Sequence, residues 1–156
     1  MKPEMMAIAE RSAIIASCLG CSDACAQQLG KRMVEHGHAN RAAIARNGDL
    51  AEHIFIVTDG AVLAEQFGLD GQHVQISRYG PGEVFGAYPA PAVFRTDMVA
   101  SGTTRLLTIS TLRLVEMASD QPEIGAGLAR LFARQLDLML DRLSSRIGLS
   151  ASGRFY

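Results

Sequence analysis

Gly80-Pro81-Gly82-Glu83-Val84-Phe85-Gly86, followed nine residues on by Arg95-Thr96, is the stretch on which the reading of this chain turns. Glycines let a backbone approach an anion, successive N–H groups form a nest, and an arginine supplies a two-pronged donor. The outline is that of a phosphate cradle. Its filling is unusual. Ala87-Tyr88-Pro89-Ala90-Pro91-Ala92-Val93-Phe94 contains no acid, and its two prolines remove two backbone donors.

Outward from this cassette, turn signals recur at Asn47-Gly48, Asp59-Gly60, Asp70-Gly71 and Gly80-Pro81-Gly82, about ten to twelve residues apart. Strand-like runs lie between them. Ile54-Phe55-Ile56-Val57 is continuously apolar and reads as buried, and Ala61-Val62-Leu63-Ala64 follows Gly60. His73-Val74-Gln75-Ile76-Ser77 alternates, and further strands are expected at Met98–Ala100 and Leu106–Ile109. Short strands at this spacing predict a sandwich or barrel.

The ends are helical in pattern. Ser22 is placed to cap a helix from Asp23 to about Met33, and Thr111 opens a short helix through Met117. Pro122 and Glu123 suit the first turn of a long helix reaching about Ile147. That helix carries two apolar stripes. Ile124, Leu128, Leu131 and Leu138 form one; Phe132, Leu136, Met139 or Leu140, Leu143 and Ile147 form the other. One stripe can pack on the chain's own barrel, which leaves the second for the same helix of another copy. Leu128, Leu131, Phe132, Leu136, Leu138, Met139 and Leu143 are the expected dimerisation residues, with Asp137, Asp141, Arg142 and Arg146 along the wet edges. The resulting organisation is an N-terminal segment over 1–21, a barrel over 22–121, a dimerisation helix over 122–149 and a hinge over 150–156.

Composition fits this picture. The chain has 156 residues, 48% hydrophobic and 20% charged, with a formal net charge of −1. No basic excess points to nucleic acid. No apolar run is long enough to span a bilayer, and a cytoplasmic location is expected. Ile15-Ala16-Ser17-Cys18 has the look of a lipoprotein cleavage box, but Glu10 and Arg11 interrupt the apolar core such a signal needs. The three cysteines, Cys18, Cys21 and Cys25, are odd in number and crowded, unlike a disulfide framework.

Turns, cassette and long helix together resemble the cyclic-nucleotide-binding domain of the cyclic-AMP receptor and fumarate–nitrate regulator (CRP/FNR) transcription factors. The likeness runs from about Leu29 to Tyr156. It rests on Asn47-Gly48-Asp49 before Ile54-Phe55-Ile56-Val57 with Gly60, on Asp70-Gly71, and on Gly80 to Gly86. Arg95-Thr96 and the pattern Pro122…Ala133-Arg134-Gln135-Leu136…Ser152-Gly153-Arg154 complete it. The resemblance implies a mainly β fold with flanking helices, a double-stranded β-helix (jelly roll) followed by a long C-terminal dimerisation helix. It also implies a non-enzymatic homodimer that senses a small-molecule effector. In the family, Ser-Gly-Arg leads into a DNA-binding domain, so DNA contact is expected only through residues beyond this sequence.

The same comparison gives the candidate ligand site as Phe85, Gly86, Ala87, Tyr88, Phe94, Arg95 and Thr96 with Met139 and Leu140 on the helix. Relatives that bind cyclic nucleotides carry a glutamate for the ribose hydroxyl where this chain has Ala87. The gap from Gly86 to Arg95 is a residue or two shorter. Pro89 and Pro91 fall in the short helix that presents backbone donors, and Met139-Leu140 replace a polar pair that touches adenine. These four departures argue against ordinary cyclic AMP binding, while Arg95 keeps an anion in play.

Other relatives sense gases through haem or oxygen through an iron–sulfur cluster. Cys18, Cys21 and Cys25 are soft-metal ligands at short spacing, to which His36 or His38 could add a fourth, zinc-type donor; the competing reading is small buried hydrophobes. His53 and His73 are the haem-ligand candidates. Two further alternatives are a ligand-free dimerisation module and a cupin-type metalloenzyme built on His36-Gly37-His38. The latter lacks the glutamate and the later histidine that such a site needs.

Overall fold

A computed structural model describes residues 6–146 of the chain. Ile147 of the second stripe and the expected hinge over 150–156 lie outside the described residues. The order is α1 (Ile8–Leu19), α2 (Asp23–Arg32), β1 (Val34–His38), β2 (Ala43–Ala45), β3 (Leu50–Ala51), β4 (His53–Phe67), β5 (His73–Tyr79), β6 (Val84–Gly86), β7 (Ala92–Val93), β8 (Asp97–Ser110), α3 (Thr111–Asp120) and α4 (Pro122–Arg146).

All strand pairs are antiparallel, and the fold is the expected jelly roll of cyclic-nucleotide-binding type with flanking helices and a long C-terminal helix. The main sheet runs β1-β8-β4-β5, with β2 also on β8 and β6 on β4; β3 and β7 form a second, two-stranded sheet. Two long strands carry the barrel. β4 pairs with β8 from His53↔Ser110 to Glu65↔Asp97.

Asp59-Gly60 is not the hairpin expected from sequence. β4 runs straight through it, with register shifts between Val57 and Asp59 and between Asp59 and Ala61. The positive φ of Gly60 is used for a bulge that bends one strand rather than a turn that ends it. The expected strands at Met98–Ala100 and Leu106–Ile109 are likewise two halves of β8. Asp70-Gly71 does make the β4–β5 hairpin, where Gly71 N–H donates to Gly68 O at 3.0 Å.

The continuous run Ile54-Phe55-Ile56-Val57 is buried because it faces two cores. Ile54 and Ile56 join Val84, Leu107 and Ile109 beneath the helices, against Ile15, Leu29, Leu114, Ile124, Leu128 and Leu131. Phe55 and Val57 face the barrel interior with Val62, Ala64, Phe85, Met98 and Leu106. Alternation along one strand thus serves two layers.

Helix α2 begins as expected, with Ser22 Oγ accepting from Cys25 N–H at 3.2 Å. Helix α1 was not foreseen, because Arg11 interrupts its apolar side. That guanidinium is buried and donates to Gly30 O at 2.9 Å and Met33 O at 2.8 Å, satisfying carbonyls at the end of α2. Two α4 arginines do the same for α1. Arg130 donates to Leu19 O at 3.0 Å and Arg134 to Cys18 O at 3.5 Å. α1 and α4 approach closely at Gly127, where a Cβ would run into the Leu19 carbonyl.

The two stripes of α4 separate only in part, since Leu138 of the first is exposed and Phe132 of the second packs against the chain's own core. Ile124, Leu128 and Leu131 are fully buried against the chain's own core, which corrects the placing of Leu128 and Leu131 among dimerisation residues. They lie on the first stripe, and that part of it is already covered. Leu136, Leu140 and Leu143 remain 55%, 51% and 51% exposed, and Leu138, which borders a cleft with Val57 and Pro81 of the barrel, is 48% exposed. Phe132 and Met139 are half-buried beside them. Among the described residues no helix is long and apolar enough to cross a membrane.

Candidate functional site

The cassette begins at the Gly80–Gly82 turn, closed by Glu83 N–H donating to Gly80 O at 3.0 Å and by Glu83 Oε1 accepting from Gly80 N–H at 2.7 Å. β6 then lies on β4 in the register Ile54↔Gly86, Phe55↔Phe85 and Ile56↔Val84. Gly86 has φ +119°, and a Cβ there would meet the His53 carbonyl. Only glycine allows the chain to turn so tightly against β4.

Beyond Gly86 the predicted site residues part company. Phe85 is buried in the barrel interior, stacked on Phe55 with ring centroids 4.6 Å apart and planes 5° from parallel. Phe94 tilts against Phe55 at 6.5 Å, and Tyr79 against Phe85 at 5.5 Å. Ala87 is buried and its backbone is fully used: N–H donates to His53 O at 3.1 Å, and O accepts from Thr111 Oγ1 at 2.7 Å. Tyr88 turns the other way, onto the core beneath the helices. The residues from Ala87 to Pro91 form no helix, and the Tyr88–Pro89 bond is cis.

Arg95 is exposed, and its guanidinium has no acid partner among the described residues. Its carbonyl accepts from Gln66 Nε2 at 2.9 Å. Thr96 Oγ1 is engaged with Met98 Sδ at 3.2 Å. On α4, Met139 faces the cassette and Leu140 faces solvent. The nine expected residues therefore do not converge on one chamber.

What lies between cassette and helix is a hollow of about 200 Å³, bordered by Phe85, Gly86, Phe132, Gln135, Leu136 and Met139. That is below the roughly 300–1,000 Å³ of ordinary ligand pockets, and neither Arg95 nor Thr96 borders it. A larger cleft of about 430 Å³ opens on the other side of the glycine turn, between α1 and α4, with Ile14, Cys18, Gly82, Glu83, Leu131 and Arg134 on its walls.

Gln135, which the sequence pattern contains without a role, joins the helix to the cassette. Its amide accepts from Val84 N–H and donates to Val84 O, both at 2.8 Å. Among the described residues β6 pairs with β4 alone, so the outward backbone groups of Val84 belong to an edge, and one side chain of α4 bonds them where a neighbouring strand would. The available signal was an amide between Leu131 and Leu138 on the inward stripe.

The cysteines also divide. Cys18 Sγ donates to Gly82 O at 3.0 Å, joining α1 to the glycine turn. Burial pushes its thiol up to about 12, against the pull of Arg134. Cys21 and Cys25 instead stand with Glu123, their ligand atoms all within 4.8 Å of one another. Burial, then the proximity of Cys21 and Glu123, pushes the Cys25 thiol up to about 12, and burial also raises Cys21. His36 and His38 lie on β1 and are not members of that group. Burial and then His36 lower the His38 imidazole. His53 and His73 begin β4 and β5, and His73 Nδ1 lies 3.5 Å from Glu65.

Residues 38–121 match the family model described as the cyclic nucleotide-binding domain. No curated protein sequence gives a significant match. Among solved structures, the N-terminal domain of a transcriptional regulator from Streptomyces coelicolor A3(2) is similar at 22% identity with a TM-score of 0.66, covering 83% of this chain and 94% of that one. A cyclic nucleotide-binding domain from Methylobacillus flagellatus is similar at 16% identity with a TM-score of 0.75, covering 88% and 84%. The catabolite activator protein of Thermus thermophilus is similar at 27% identity with a TM-score of 0.64, covering 81% of this chain. This chain spans 63% of that regulator.

Proposed function

The chain belongs to the cyclic nucleotide-binding domain family, and from that premise we propose that it is the effector-sensing and dimerisation module of a CRP/FNR-type transcription regulator, with a cassette closed by its own side chains. It has no catalytic role in this reading, and it reaches DNA only through another part of the regulator.

The observation that carries the reading is the stacked Phe55–Phe85 pair with Phe94 and Tyr79 around it. A cyclic nucleotide seated on Phe85-Gly86 needs room for a purine and sugar, an acceptor for the ribose hydroxyl, and a cation at the phosphate. Rings occupy the room, Ala87 offers a methyl group, and Arg95 is outside. Ordinary cyclic AMP binding is therefore not the function of this cassette. Gln135 fastens β6 to α4 without help from a ligand, which favours a barrel that acts as a standing scaffold for the helix.

Leu136, Leu140 and Leu143, with Phe132 and Met139, form the surface for a second copy. Covering the remaining half of three leucines on each of two helices contributes about 1 kcal/mol per side chain, or roughly 6 kcal/mol before ordering costs. The test is a thermal-shift and sedimentation experiment on the purified chain. A dimer at micromolar concentration with no shift on millimolar cyclic AMP supports the reading. A monomer, or a clear shift abolished by Arg95→Ala, refutes it.

A further inference from the structure

The geometry points to a metal site at Cys21, Cys25 and Glu123 that takes one thiophilic divalent cation of the zinc class. Glu123 is about a hundred positions from the two cysteines in sequence, yet the fold brings two sulfurs and a carboxylate oxygen within 4.8 Å of one another. Two thiolates and one carboxylate are a zinc-type donor set, and the fourth tetrahedral position stays open to water.

The site is built by two helix starts. Cys21 precedes the N-cap Ser22 of α2, and Cys25 sits in the first turn. Glu123 stands in the first turn of α4. Ser22 holds the carboxylate in place, its N–H donating to Glu123 Oε1 at 2.5 Å and its Oγ lying 3.3 Å from Oε2. An ionised carboxylate has about four lone-pair sites, so these bonds leave capacity for a metal.

Cys25 is 1% exposed, while Cys21 is half-buried and Glu123 exposed, so a cation enters from the Cys21–Glu123 side. Three ionised ligands would carry a charge of −3, which a divalent cation reduces to −1 beside two positive helix ends. Cys18 takes no part, since its thiol is committed to Gly82 O. Occupancy would tie the α1–α2 turn to the first turn of α4. The assignment does not depend on what the cassette binds.

The test titrates the freshly reduced, metal-free chain with Co²⁺ and then with Zn²⁺. One Co²⁺ per chain with a thiolate-to-cobalt charge-transfer band, displaced by Zn²⁺, is the expected result. Cys21→Ser removes the band, Glu123→Gln weakens binding about tenfold or more, and Cys18→Ser changes nothing. X-ray absorption of the zinc-loaded wild type, which needs no variant to fold, should show two sulfur ligands at about 2.3 Å. Absence of the band, its survival in Cys21→Ser, its loss in Cys18→Ser, or one sulfur or none around zinc overturns the assignment. So does a reduced chain that forms a Cys21–Cys25 disulfide in air but binds neither metal.

Discussion

Replacing Gln135 by methionine keeps the side-chain volume and deletes both hydrogen bonds to Val84, each 2.8 Å long. A net amide hydrogen bond contributes about 0.5–1.5 kcal/mol, and an unsatisfied buried backbone group costs about 1–3 kcal/mol. Val84 is buried, but the bonds are only partly so, and water can reach some of the vacated edge. The expected loss is about 2 kcal/mol. For a chain of this size that lowers Tm by roughly 4–8 °C. Urea denaturation at one fixed protomer concentration is the assay, because dimerisation would otherwise shift the midpoint by mass action. The urea slope should stay unchanged, and amide exchange at Val84 should accelerate more than at Val57, whose N–H donates within the barrel to Glu83 O at 3.0 Å. A loss below about 0.5 kcal/mol, the range of ordinary surface substitutions, would refute the idea that α4 closes the β6 edge.

Three further outcomes are expected. Gly86→Ala places a methyl against the His53 carbonyl at φ +119° and should cost roughly 2–4 kcal/mol, read as a lowered urea midpoint; a neutral result would contradict the described turn. Leu136→Asp puts a charge in the exposed stripe and should give a folded monomer by sedimentation, whereas Asp137→Ala should leave the dimer intact. Arg41, with its two guanidinium–carboxylate bonds of 3.1 and 3.0 Å, holds the Glu65 carboxyl below the usual glutamate range. The stability this provides is full above the unfolded value of about 4.3 and is lost as the pH falls through the lower folded value. Wild type should exceed Glu65→Gln in urea midpoint at neutral pH, and the difference should vanish in acid; a constant difference would assign the effect to packing.

Much of the fold was legible because local chemistry and global structure agree. Ser22 caps α2, Pro122 opens α4, and the run from Ile54 to Val57 is apolar on both faces because both faces are covered. Helix α1 escaped notice because Arg11, a residue that normally marks solvent, is buried to cap α2. Strands β3, β6 and β7 are only two or three residues long and take their form from partners distant in sequence. Asp59-Gly60 carries the same turn signal as Asp70-Gly71, and only β8 alongside makes it a bulge.

The candidate site was legible in its backbone and not in its side chains. Gly86 and the glycine turn stand where the pattern puts them. The outward placing of Arg95, the stacking of Phe55 on Phe85 and the grouping of Cys21 and Cys25 with Glu123 are set by contacts across the fold, which no local pattern encodes. Gln135 belongs with them, since a single amide on an apolar stripe has no meaning until the edge it covers is known.

Calorimetric titration of the purified chain with cyclic AMP tests the central claim most directly. The closed cassette predicts no saturable heat up to millimolar nucleotide, in wild type and Arg95→Ala alike. A saturable isotherm with one site per chain, lost in Arg95→Ala, would contradict it and would mean that the rings of Phe55, Phe85 and Phe94 give way to a ligand.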